Sequence, residues 1–182
     1  MKGIIMKRNV LVILAIVVLA GFAVYQNFVM KDRQASAHKE AAPKPNYMAP
    51  GFKLTALDGN VYEVGGTRDK PLLVNFWASW CGPCELEAPD LKQMYDKYKD
   101  KIDFYAVNMT ASDRMDNIKS FVKHFDFKFP ILLDSEGKVG ELYRISGIPM
   151  TYLVDKNGVI KEGFSILHPD ELEKRIKQLI ES

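Results

Sequence analysis

Cysteine is nearly missing from this chain: 182 residues hold two, Cys81 and Cys84, beside three histidines. With no second cysteine pair, and with His38, His124 and His168 scattered, the ligand spacing of a structural zinc site is not there. A disulfide across two intervening residues closes so small a loop that chain entropy supplies only about 2 kcal/mol, a poor staple for a domain with its own core. No cysteine follows the N-terminal apolar run, so a lipid-modified cysteine anchor is excluded. Internal repeats are absent, and the one biased tract is residues 31–49. An excess of positive charge is absent where it would matter: residues 1–49 carry seven Lys/Arg against two Asp/Glu, and residues 50–182 carry 18 against 21. The overall +2 therefore belongs to the N-terminal end, and the mildly acidic remainder argues against nucleic acid as a partner.

Long hydrophobic runs are limited to one. "VLVILAIVVLAGFAVY", Val10 to Tyr25, continues through "QNFVM" to Met30 before Lys31. At about 1.5 Å per residue this makes roughly 30 Å of helix, the thickness of a bilayer core, so one membrane span is expected within residues 1–30. Lys2, Lys7 and Arg8 precede it, as in a signal peptide, and "ASA" at Ala35 to Ala37 has the small-residue pattern of a cleavage site. That site lies about a dozen residues beyond the apolar run, and the length of the run favours an uncleaved signal anchor over a removed leader. The short N-terminal tail favours an inside N-terminus with the bulk exported, although Lys31, Arg33 and Lys39 nearly balance the basic residues in front. Residues 31–49, rich in Ala, Lys and Pro, read as a flexible, solvated tether.

Residues 50–182 are enough for a single core. "FKLTALDGNVYEV" has two alternating runs around Asp58-Gly59, a hairpin signal. "PLLVNFWAS" reads as a buried central strand, and the segment after it places Leu86, Leu91, Met94, Tyr95 and Tyr98 at helical spacing with a kink expected at Pro89. "KIDFYAVNM" returns as a strand. A helix near Arg114–Phe125, a strand at 129–133 and a short helix near Val139–Ile145 continue the alternation. Strands at 150–154 and 159–163 flank "DKNG", a second hairpin signal, and an amphipathic helix spans 170–180. The expectation is an α/β domain with a mixed sheet covered on both faces.

In that frame Cys81 follows the central strand and opens a helix, where unpaired backbone N–H groups and the helix dipole favour a thiolate. The first thiol of such a motif titrates at roughly 3.5 to 7.5 instead of about 8.5. Pro83 suits the first helical turn, where its missing N–H costs nothing. Cys84, within disulfide reach but deeper in the helix, should differ from Cys81 in exposure and acidity. A redox-active dithiol is favoured over the structural disulfide and the zinc site.

"NFWASWCGPC", with Pro89 five residues after the second cysteine, resembles the thioredoxin superfamily, and "SGIPMTYLVDKNGVI" resembles its second signature. The resemblance covers residues 50–182 and implies a thioredoxin-like fold with an N-terminal β-hairpin extension. It implies a cis peptide at Pro149 packed against the disulfide, with the backbone of Ile148 free to pair with an extended substrate segment. Within the superfamily, the anchor and "CELEAP" look most like the extracytoplasmic ResA/TlpA-like thiol-disulfide oxidoreductases. Cytoplasmic thioredoxins have a buried Asp in the central strand that serves the resolving thiol; Asn75 stands there in this chain and cannot take a proton. Glu87, one turn after Cys84, is on the right face to do so, as the Glu of the ResA-like group implies, the plainer reading being an exposed helix carboxylate. Trp80 reads as a contact surface beside the dithiol. Gly82 and Ile148 depart from the ResA-like pattern, which often has Glu and a polar residue there; cytochrome c maturation is the narrow role that pattern implies.

The resemblance thus implies thiol-disulfide exchange. Cys81 is the nucleophile, Cys84 the resolving thiol and Glu87 the proton carrier, with Trp80, Pro83, Ile148 and Pro149 at the substrate face. No cofactor beyond the Cys81–Cys84 disulfide is needed and no metal is expected. Substrates would be disulfide-containing exported proteins, apocytochrome c among them. Outside the cytoplasmic membrane a monomeric reductase of this kind needs a membrane electron donor of the CcdA or DsbD type. The Gly-Pro dipeptide suggests a reducing potential, near thioredoxin's value of about −270 mV. The alternatives are a disulfide oxidase or isomerase, a thiol peroxidase, and a tethered binding or scaffold module. The Pro-x-x-x-Thr-x-x-Cys pattern of peroxiredoxins is absent.

Overall fold

The computed structural model describes residues 17–26 and 40–181, in two separate units. Residues 17–26 form a helix whose apolar side chains, Phe22 and Val24 among them, are exposed. No helix among the described residues is long and apolar enough to cross a membrane. The rest of the expected anchor, residues 1–16 and 27–30, and residues 31–39 of the expected tether lie outside the described residues.

The second unit begins with a hairpin of β1 (Phe52–Thr55) and β2 (Val61–Val64). There follow β3 (Leu72–Trp77), α1 (Gly82–Tyr98), β4 (Asp103–Asn108), α2 (Met115–His124), β5 (Ile131–Leu133), α3 (Lys138–Leu142), β6 (Met150–Val154), β7 (Ile160–Phe164) and α4 (Pro169–Ile180). The main sheet has the order β5-β4-β3-β6-β7, in which β3 pairs parallel to β4 and antiparallel to β6. The expected mixed α/β sheet is there, with each element displaced by no more than a few residues.

All six residues of β3 are buried, and the period of two divides them between two cores. Leu73 and Trp77 face the core made with α1, α2 and α4; Leu72, Val74 and Phe76 face the core under the hairpin and α3. Asn75 must share the face of Leu73 and Trp77, beneath α1. The hairpin lies against β5, with Leu57 N–H donating to the Ile131 carbonyl at 2.9 Å, so an edge that would be open is covered.

Residues 40–49 correct the tether reading: they are bonded to the domain. Ala49 N–H donates to the Gly158 carbonyl at 2.8 Å, Asn46 N–H to Ile160 at 2.8 Å, and Ile160 N–H to Tyr47 at 2.9 Å. Ala49 is buried. A composition poor in large apolar residues hid this strap because its attachment runs through backbone groups, which every residue carries.

Candidate active site

The chain leaves β3 at Trp77 and enters α1 at Gly82, and the four residues between are held by the loop that follows β4. Asp113 accepts from Ser79 N–H at 2.7 Å, from Ser79 Oγ at 2.5 Å, from Asn108 Nδ2 at 2.9 Å and from Arg114 N–H at 2.7 Å. Partial burial alone would raise the pKa of this carboxyl, but the donors from Asn108, Ser79 and Arg114 outweigh it and the pKa is lowered. Trp80 is fixed by the same loop, its Nε1 donating to the Ser112 carbonyl at 2.9 Å, while 60% of its surface stays exposed. Trp80 is therefore exposed beside the dithiol and is not a core residue.

Cys81 is the N-cap of α1, and its Sγ accepts from the Cys84 N–H at 3.2 Å. The helix supplies to this sulfur the donor a thiolate needs. Gly82 and Pro83 are exposed in the first turn, where Pro fits without losing a hydrogen bond. Cys81 and Cys84 form a disulfide with Cα atoms 5.2 Å apart. They are 5% and 4% exposed, so the expected difference in exposure is not found: Cys81 lies against Ile148, whose carbonyl is 3.6 Å from its Sγ. The Ile148–Pro149 peptide is cis, as the resemblance implied. Pro149 is buried and its carbonyl accepts from Ser165 Oγ at 3.0 Å.

Glu87 is on the buried stripe of α1 with Cys84, Ala88, Leu91, Met94 and Tyr98, whereas Leu86, read from its apolar character as part of that stripe, is 76% exposed. Two residues turn a helix by about 200°, so Leu86 points away from the face that Cys84 occupies. The exposed-carboxylate reading of Glu87 is overturned: the residue is 9% exposed, and Asn75 Nδ2 donates to its Oε1 at 2.5 Å. Burial pushes its pKa from 4.5 to about 7; the Asn75 donor acts against that rise, and Asp90 adds to it by like charge. The same Asn75 nitrogen donates to Thr151 Oγ1 at 3.0 Å, its cross-strand neighbour on β6. Thr151 was missed because only the β3–β6 register brings it here. Asp113 was missed because it lies 34 residues from Ser79. Among the described residues no group of three or more His, Cys, Asp or Glu could hold a metal ion.

Residues 45–162 match a family model described as AhpC/TSA. The chain belongs to the AhpC/TSA family. Its relatives in that thioredoxin-like family include a thiol-disulfide oxidoreductase ResA of Bacillus thuringiensis subsp. konkukian (strain 97-27). That protein is 33% identical over 181 residues, covering 96% of this chain and 99% of the relative. The thioredoxin-like protein YneN of Bacillus subtilis (strain 168) is 34% identical over 130 residues, 71% of this chain and 76% of that one. Among solved structures, a putative thiol:disulfide interchange protein DsbE from Chlorobium tepidum superposes with a TM-score of 0.64 at 29% identity, covering 73% of this chain and 95% of that chain. With the Cys81–Cys84 pair at the head of α1, this member of the family is a thiol-disulfide oxidoreductase.

Proposed function

We propose that this oxidoreductase is a membrane-anchored reductase of disulfides in exported proteins, apocytochrome c among them, and that it is re-reduced by a membrane donor of the CcdA or DsbD type. The observation that carries the exchange chemistry is the environment of Glu87, a buried carboxyl one turn after Cys84, and the reducing direction is supported by the Gly82-Pro83 dipeptide between the cysteines. A carboxyl with a pKa near 7 is matched to move a proton at neutral pH. Cys81 thiolate attacks a substrate disulfide; a bond forms from Cys81 Sγ to one substrate sulfur and the other leaves as a thiolate. Cys84 then gives its proton to Glu87 and attacks Cys81 Sγ. The Cys81–Cys84 bond forms, the second substrate thiol is released, and the proton returns to it through Glu87 or water. Trp80, Pro83 and Ile148 border Cys81 and form the face on which a substrate segment lies, with the buried Pro149 fixing the Ile148 backbone. The long apolar run at residues 10–30, with the exposed apolar helix at 17–26, supports anchoring in the cytoplasmic membrane with the redox domain outside.

Trapping tests the assignment of roles. A Cys84→Ser variant should accumulate mixed disulfides through Cys81 with exported proteins, and a Cys81→Ser variant should accumulate few. Equal capture by both variants, or by neither, would contradict the roles assigned to the two thiols.

A further inference from the structure

The proton-carrying role proposed for Glu87 makes a demand on its neighbours, because a buried carboxyl needs different partners in its two states. As a carboxylate it only accepts hydrogen bonds; as a neutral acid it also carries an O–H donor that must find an acceptor. Glu87 is hydrogen-bonded to Asn75 on β3 and linked through it to Thr151 on β6, both buried and neither titratable. On its own helix the groups of consequence are the Cys81–Cys84 pair and Asp90. Both hydrogens of the Asn75 amide nitrogen are spoken for, one at Glu87 Oε1 and one at Thr151 Oγ1, which is the arrangement that fits a charged Glu87.

We propose that Asn75 and Thr151 form a reversible amide clamp, in which rotation of the Asn75 amide by about 180° lets the same three side chains satisfy Glu87 in its neutral form. The inference rests on Glu87 being the proton carrier. Rotation replaces the amide nitrogen by Oδ1, which has two lone pairs where the nitrogen had two hydrogens. Glu87 O–H then donates to Oδ1, and the Thr151 hydroxyl turns from acceptor to donor and gives its hydrogen to the same oxygen. The bonds among the three side chains number two before and two after, the amide nitrogen exchanging places with Oδ1, and no atom is transferred except the proton exchanged with Cys84.

The composition of the clamp follows from this requirement. Asp at position 75 would place a second carboxyl against Glu87, so that the two would share protons as a coupled pair. A side chain without a polar atom at 75 would leave the carboxylate without its donor. Val at 151 keeps the shape of Thr and loses the hydroxyl that reverses its role. Asn75 and Thr151 are therefore positioning residues that give Glu87 a hydrogen-bond partner in each of its two states. None of their atoms is among the buried polar groups without a partner.

The test is a nuclear magnetic resonance titration of the full chain labelled with carbon-13 and nitrogen-15, followed from about pH 5 to pH 9 across the Glu87 midpoint near 7. The Glu87 carboxyl carbon reports the proton, and the Asn75 side-chain amide protons report the clamp through their cross-relaxation with Thr151 and Glu87. The expected result is that the amide contacts present at high pH disappear at low pH with the same midpoint as the carboxyl carbon. Thr151→Ser should preserve that behaviour, and Thr151→Val should slow resolution by Cys84 about tenfold, the effect of one lost hydrogen bond to a polar partner. A Glu87 that titrates while the Asn75 contacts stay unchanged would overturn the clamp and leave Glu87 as the proton carrier. The carrier role itself is read separately, from the pH profile of Cys84 alkylation. If Glu87→Gln leaves that profile unmoved, the role fails, and the clamp with it.

Discussion

Glu87 occupies a core position on α1 while its neighbour Leu86 stands in solvent, the reverse of what burial energies favour. A consequence follows for stability. The folded protein holds the Glu87 proton up to about pH 7, whereas an ordinary Glu releases it near 4.5. The unfolded chain therefore binds fewer protons between those values, and stability is full below about 4.5 and falls as pH rises through about 7. At about 1.4 kcal/mol for each tenfold change in acidity, the loss is about 3 kcal/mol. Urea unfolding should show wild type weaker at pH 8 than at pH 5 by this amount, and Glu87→Gln should flatten the difference. Carboxyls of lowered pKa such as Asp113 act at more acid pH and do not enter this window. Gly82, between the two cysteines, has open space around it. A Cβ there meets nothing within 4 Å, so Gly82→Glu should change stability by less than about 0.5 kcal/mol. A negative charge beside Cys81 should raise its thiol pKa, read from thiolate absorbance in the reduced enzyme.

The elements around the site are held by contacts that differ sharply in how readable they are. Strands and helices follow from periodicity, which is why "PLLVNFWAS" reads as β3 and the segment after it as α1. Cys81, Cys84 and Pro149 are legible because two signatures of fixed spacing carry them. Asp113, Thr151 and the strap at 40–49 are not, since each matters through a partner distant in sequence that only the register or a loop brings close. Asp113→Ala would leave Ser79, Asn108 and Arg114 with donors lacking their charged acceptor, a loss of about 2 kcal/mol. The melting temperature should fall accordingly, and the reaction of Cys81 should slow because Trp80 and the N-cap lose their support. The strap is tested at Gly158. Its φ of +80° disfavours any side chain, and a Cβ there would run into the Gly66 carbonyl. Gly158→Ala should destabilise the domain by about 1 to 3 kcal/mol. Gly66→Ala, with a φ of +69° and open space around it, should cost less, since conformational strain acts there alone.

For the whole molecule, charge and hydropathy divide the chain at the same place, with the basic and apolar residues at the N-terminal end and a mildly acidic redox domain beyond it. That division was legible from composition. The order of the strands was legible only in part: "DKNG" signals the β6–β7 hairpin, but nothing in a run of residues says that β6 lies beside β3 while β4 and β5 pair on its other side. The chemistry of the dithiol follows from the family and the site; what the protein does with it depends on which way electrons flow. The most direct measurement is the redox state of Cys81 and Cys84 in growing cells, trapped by acid quench and alkylation with a mass-tagged maleimide. A reductase requires a pair held mostly reduced, and one that becomes oxidised when the proposed membrane electron donor is removed. A pair found mostly oxidised under ordinary growth would contradict the reductase and point to a disulfide donor.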